Sequence, residues 1–153
     1  MSAGMLDQRR RSGIGVWALR LLGAALMVAI AAIHFYLWQQ GYDGIDVIGP
    51  AFLLQSVLGV GGAGLLLITP ARWLHWVAAL DWSFAAGSLG ALLVSTTVGL
   101  FGFVETTTAT LWWETLWVEI AAIVALGALF VVARRHGARS DGAGSHLAGR
   151  PRS

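Results

Sequence analysis

Residues 14–38 read IGVWALRLLGAALMVAIAAIHFYLW, an apolar run broken only by Arg20 and His34. At about 1.5 Å per residue, such a run outlasts the roughly 30 Å of a bilayer's hydrocarbon core. A surface helix of a soluble protein would carry a broad polar face along this length, and none is present. Three more stretches share the character: 50–69, 73–101 and 111–133. Gly49-Pro50 sets the first turn of the second stretch and Pro70 closes it. The reading is an all-α, integral membrane four-helix bundle over residues 14–134. A basic segment, 1–13, precedes it, and a tail, 135–153, follows.

Composition supports lipid as the solvent. Hydrophobic residues make up 57% of the chain and charged residues 12%, against about 25% charged in soluble domains. A soluble globule of 153 residues cannot bury that much apolar surface. Cysteine is absent, which removes thiolate nucleophiles, disulfide exchange and Cys-ligated metals together. All ten basic residues are arginines gathered towards the chain ends. In a membrane protein that clustering speaks of topology and anionic lipid, not of nucleic acid.

Arginine bias in the flanks sets the orientation. Arg9, Arg10 and Arg11, then Arg72, then Arg134, Arg135 and Arg139 mark the two termini and the link between spans two and three as cytoplasmic. The opposite flanks hold Asp43, Asp46 and Glu105 and no basic residue. Tryptophans form two belts in agreement: Trp17, Trp73 and Trp76 inside, and Trp38, Trp112, Trp113 and Trp117 outside. Arg9–Arg11 before an apolar run also resembles a secretory signal, with Ala29-Ile30-Ala31 as a cleavage pattern. The run is far longer than the 7–15 residues typical of a signal core, so an uncleaved anchor is expected. The tail is rich in Gly, Ser, Ala and Arg, lacks the apolar content to fold, and is expected to be a disordered cytoplasmic segment.

Polar groups within the spans are few, and each must face the bundle. Helical spacing puts Arg20, Gly23, Met27, Ala31 and His34 on one stripe, and Ala51, Gln55, Gly59 and Gly62 on another. Asp81, Ala85, Ser88, Leu92 and Ser95 form a third, and Glu119 shares a face with Thr115, Ala122 and Leu126. Depth counted from the tryptophans groups these into two layers. The inner layer is an Arg20–Asp81 ion pair; the outer is a cluster of His34, Gln55 and Glu119. Either layer can be structural pairing, and a histidine beside a carboxylate can also exchange protons near neutral pH. His34 and His75 lie at opposite depths, which argues against a bis-histidine haem. His34 with Glu119 offers too few ligands for a metal site. The glycines from Gly59 to Gly64 lie inside an apolar span without a lysine, so they read as helix packing and not as a phosphate loop. No catalytic constellation is evident, no cofactor is expected, and an enzyme is disfavoured.

The stretch His34-Phe35-Tyr36-Leu37-Trp38-Gln39-Gln40-Gly41-Tyr42, continued by Ile48-Gly49-Pro50 and Phe52-Leu53-Leu54-Gln55, resembles small four-span membrane proteins of actinobacteria. That group is mostly uncharacterised. The resemblance implies a four-span topology in a bacterial cytoplasmic (plasma) membrane, with His34 and Gln55 inside the shared motif and Glu119 outside it. Three readings remain open, the third and least supported being a membrane enzyme acting on a lipid or quinone. The first expectation is an accessory or structural subunit packing beside a larger membrane complex. The alternative is a small oligomeric transporter or proton-coupled carrier that uses the outer cluster. The expected partners are the lipid bilayer and another membrane protein or a second copy.

Overall fold

A computed structural model describes the backbone of residues 3–148 and the side chains of residues 13–135. Four α-helices follow one another: α1 (Ala3–Gln39), α2 (Ile48–Ile68), α3 (Leu74–Thr97) and α4 (Trp112–Ala148). One 3₁₀ turn, Tyr42–Gly44, lies between α1 and α2. Each helix contains a segment long and apolar enough to cross a membrane: Gly13–Gln39, Ile48–Ile68, Leu74–Thr97 and Trp112–Arg135. The chain is thus an all-helical, multi-pass architecture. Helical backbone reaches beyond the spans at both ends, into 1–13 and as far as Ala148. Residues 149–153 of the expected tail, and the side chains from 136 onward, lie outside the described residues.

The turns follow from local chemistry. Thr69 is extended, with ψ 131°, as the residue before Pro70 must be, and α2 stops there. At the other end α3 stops at Thr97, four residues short of the expected 101. Gly99 takes φ +86°, and its N–H donates to the Val94 carbonyl, a left-handed helix stop that glycine alone adopts without strain. A tight two-residue turn follows. Leu100 and Phe103 exchange N–H···O bonds of 2.7 and 2.9 Å across Phe101 and Gly102, both at positive φ. Apolar residues 98–104 therefore fold back over the bundle instead of extending the span.

The two longer links, 40–47 and 98–111, meet at one end of the bundle, where Tyr42 bonds Glu105. The helix ends at Thr69 and the start of α3 mark the opposite end, which also carries the chain termini. These are called the loop end and the termini end. α1 packs most closely on α2, α3 on α4, and α1 on α4; of the neighbouring pairs, α2 and α3 meet least. The α1/α2 contact requires Gly59: a Cβ there would stand 2.9 Å from the Met27 carbonyl oxygen and 3.0 Å from the Ala31 Cβ. The core is Met27, Ile30, Leu66, Leu74, Leu126 and Leu129, with Ala24, Ala63, Ala78, Ala85 and Ala122 as spacers. The outer surface is apolar as well. Leu21, Val28, Leu54, Val57, Leu80 and Val124 are all exposed, a distribution that suits contact with lipid tails.

Gly59→Ala should lower stability by about 1–3 kcal/mol, because a backbone carbonyl must move to admit the methyl group. Gly61→Ala, whose added Cβ meets open space, should not. Thermal unfolding in mild detergent distinguishes the two; equal midpoints would show that the helix pair does not depend on this contact.

Candidate functional site

At the loop end, three helices each contribute one polar side chain to a continuous hydrogen-bonded line. Gln55 of α2 donates from Nε2 to Ser88 Oγ of α3, and the Ser88 hydroxyl donates to Glu119 Oε1 of α4. With Glu119 ionised, the order follows from its chemistry. A carboxylate only accepts, so Ser88 gives its proton to Glu119 and must accept from the Gln55 amide. Glu119 is fully buried, at 0% exposure, and its second oxygen, Oε2, has no partner among the described residues.

His34 of α1 joins the same site without touching Glu119 through a hydrogen bond. Its Nδ1 donates to the Ile30 carbonyl, 2.9 Å away. That bond places the proton of the neutral ring on Nδ1 and leaves Nε2 as an acceptor. The ring stands edge-on to Phe52 at 5.0 Å. A cavity of about 60 Å³ lies between His34, Gln55 and Ser88 and is continued by Phe52, Leu92, Ser95 and Glu105. All four helices and the 98–111 link contribute to its wall. Of the sequence-derived cluster, Gln55 reaches Glu119 through Ser88, while His34 shares the cavity wall with Gln55 and Ser88 and Glu119 lies behind it. Spacing puts Ser88 on the polar face of α3, yet no charge singles it out.

A lid of aromatic residues closes the loop end. Tyr42 stacks on Phe52, with ring centres 5.0 Å apart, and meets Phe103 edge-on at 5.8 Å. Its hydroxyl donates to Glu105 Oε2 at 2.8 Å. Glu105 is anchored in turn: its N–H donates to the Ser95 carbonyl, and its Oε1 accepts from the Thr106 N–H. Trp112 donates from Nε1 to Thr96 Oγ1 at 3.0 Å, tying α4 to the last turn of α3. Burial, with the Glu105 hydrogen bond and charge adding to it, holds the Tyr42 phenol proton well above the ordinary tyrosine range.

The termini end differs from expectation. No ion pair joins Arg20 and Asp81 among the described residues. Arg20 instead donates from Nη2 to the Thr69 carbonyl, with its guanidinium 4.9 Å from the Trp17 ring centre. The reason is the end of α2. Its last carbonyls lack helical donors and carry the negative end of the helix dipole, so a cation settles there. Asp81 lies deeper. Its carboxyl lies over Gly62 of α2, which the Met27 side chain of α1 also approaches, and Met27 is seven residues beyond Arg20, about 10 Å along the helix. A count from Trp76 overlooks that long side chains reach back towards the interface while short ones stay at their own level. Asp81 is 3% exposed, and its Oδ2 is without a partner among the described residues, as is Arg20 Nε.

No known family model, curated protein or solved structure matches this chain. Its function must be argued from the site alone.

Two outcomes follow. Ser88→Ala removes both bonds of the line and should cost about 1–2 kcal/mol, given about 0.6 kcal/mol for an average interhelical polar contact plus a stranded carboxyl. Denaturation in detergent, compared with Ser83→Ala on the exposed face, checks this. For Tyr42, the folded chain holds the phenol proton more tightly than the unfolded chain. Its stabilising effect is therefore full below about pH 10 and is lost as pH rises towards the folded value. The tyrosinate absorbance of wild type minus Tyr42→Phe should be missing at about pH 10. A normal titration there would contradict the lid geometry.

Proposed function

We propose that this chain is a small carrier of a bacterial plasma membrane, with both termini cytoplasmic. In this reading it admits a small solute from the external side into the loop-end cavity. The observation that supports it best is the Gln55–Ser88–Glu119 line running from a cavity wall to a fully buried carboxyl group. Intramembrane carboxyl groups characteristically serve ion and proton pathways. Ser88 lines the cavity and donates to Glu119, so one hydroxyl links the two; the Gln55 amide orients that hydroxyl, and His34 stands on the cavity wall with one ring nitrogen open. Arginines at the termini end and acidic residues at the loop end support the orientation. The actinobacterial resemblance of 34–55 is part of the same proposal.

Packing beside a larger membrane complex is the second reading. It draws on an apolar groove between α1 and α2, lined by Val28, Ala31, Phe35, Leu53, Val57 and Val60. Lipid chains fill such a groove equally well, so the cavity weighs more. Co-purification with one constant set of partners from native membranes would favour this reading over the first.

The absence of cysteine makes the carrier reading directly testable. Ser95→Cys, on the cavity wall, should react with a membrane-impermeant maleimide added outside intact cells, while Ala85→Cys, in the core, should not. In proteoliposomes with a trapped pH dye, His34→Ala and Glu119→Gln should each slow proton movement to the rate of protein-free vesicles. An unreactive Ser95→Cys together with wild-type rates in both variants would overturn the carrier.

A further inference from the structure

The hydrogen-bonding polarity of the loop-end cavity narrows what can occupy it. Its buried hydroxyl donors are already committed within the protein, which leaves Thr110 at the exposed rim. Ser88 donates to Glu119, Ser95 to the Leu92 carbonyl and Thr115 to the Leu111 carbonyl. The ring N–H of Trp112 goes to Thr96, and the hydroxyl of Tyr42, above the cavity, goes to Glu105. What remains is mostly acceptor. His34 Nε2 is open because Nδ1 holds the proton, and Gln55 Oε1 is open because Nε2 is turned to Ser88. The Glu105 carboxylate has lone pairs beyond those it uses. An occupant that satisfies this wall must bring N–H or O–H donors of its own, and anions meet no free cation among the lining residues.

Three further observations give the occupant a charge and a size. Phe52, Phe103 and Trp112 line the cavity, and the faces of such rings attract cations. Every described arginine, namely Arg20, Arg72, Arg134 and Arg135, belongs to the termini end, whereas Asp43, Asp46, Glu105 and Glu114 surround the loop end. The field at the mouth is therefore negative and concentrates cations. Behind Ser88, Glu119 is a buried carboxyl group with one oxygen unpartnered among the described residues. A volume of about 60 Å³ holds roughly four groups the size of a water molecule.

We propose that the loop-end cavity binds a small protonated amine of the ammonium and methylammonium class, with its N–H groups on His34 Nε2, Gln55 Oε1 and Glu105 and its charge facing the aromatic wall. This rests on the carrier reading and names its solute. Tetramethylammonium, the smallest quaternary ammonium ion, carries the charge but has no N–H and is bulkier, and a small alcohol has the donor without the charge. Both are poor occupants.

The test uses the full chain in lipid nanodiscs, with radiolabelled methylammonium as the probe. Wild type should bind it saturably, and ammonium should displace it; tetramethylammonium, methanol and acetate should not. Gln55→Leu and His34→Phe should each weaken binding about ten-fold or more, the loss of one hydrogen bond to a charged group. Ser95→Leu fills the cavity, leaves those acceptors in place and should abolish binding. It stands in for either variant that fails to give a monodisperse, helical protein. Absence of methylammonium binding overturns the amine proposal, as does displacement by tetramethylammonium equal to that by ammonium. If Ser95→Cys still reacts from outside and the pH-dye assay still depends on Glu119, the carrier reading survives with another solute. If those also fail, both fall.

Discussion

Hydrocarbon offers no hydrogen bonds, and nearly every feature of this bundle answers to that. Helices satisfy their own backbone, but their ends and their polar side chains must find partners inside the protein. Ser56, Ser83, Thr96, Thr97 and Thr115 all turn their hydroxyls back onto carbonyls one turn earlier in their own helices. The carbonyl of Thr69, at the end of α2, is met by Arg20 from a neighbouring helix. The same demand draws Gln55, Ser88 and Glu119 into one line, because the alternative for each is lipid. Net energies are modest, about 0.6 kcal/mol for an average contact. Their larger effect is to select one register of the helices over its neighbours.

Small residues make that register possible. Gly59 lets α1 and α2 approach until backbone meets side chain, and Gly62 leaves the space in which the Asp81 carboxyl lies. Alanines space the interior around Met27, Leu66 and Leu126. Larger side chains point outward, where lipid tails are as good a solvent as another protein surface.

Much of this is legible in the amino-acid sequence. Long apolar runs and the prolines near their ends place four helices, because lipid punishes any other backbone. Periodicity turns Arg20, His34, Asp81, Ser88 and Glu119 inward, and all five are buried. Pairing is harder to read. A depth count treats each side chain as a point at its Cα, yet Arg20 reaches back along its own length to a carbonyl while Asp81 stays where the backbone puts it. Opposite charges at similar counted depth therefore go to different neighbours. Ser88 is hidden for another reason: a hydroxyl is cheap in a helix, and nothing in its chemistry signals that it bridges two longer side chains. The fold-back at Gly99 is masked because residues 98–104 are apolar enough to pass for more span.

The uneven packing between helices has a mechanical meaning. α1 and α4 act as the spine of a book, with α2 and α3 as its covers, and the fore-edge is held by the amide of Gln55 on the hydroxyl of Ser88 and by the Asp81 carboxyl against Gly62. Parting the covers breaks few apolar contacts, whereas sliding the spine breaks many. The α2/α3 seam is therefore where the least packing resists separation, and it contributes one side of the cavity wall.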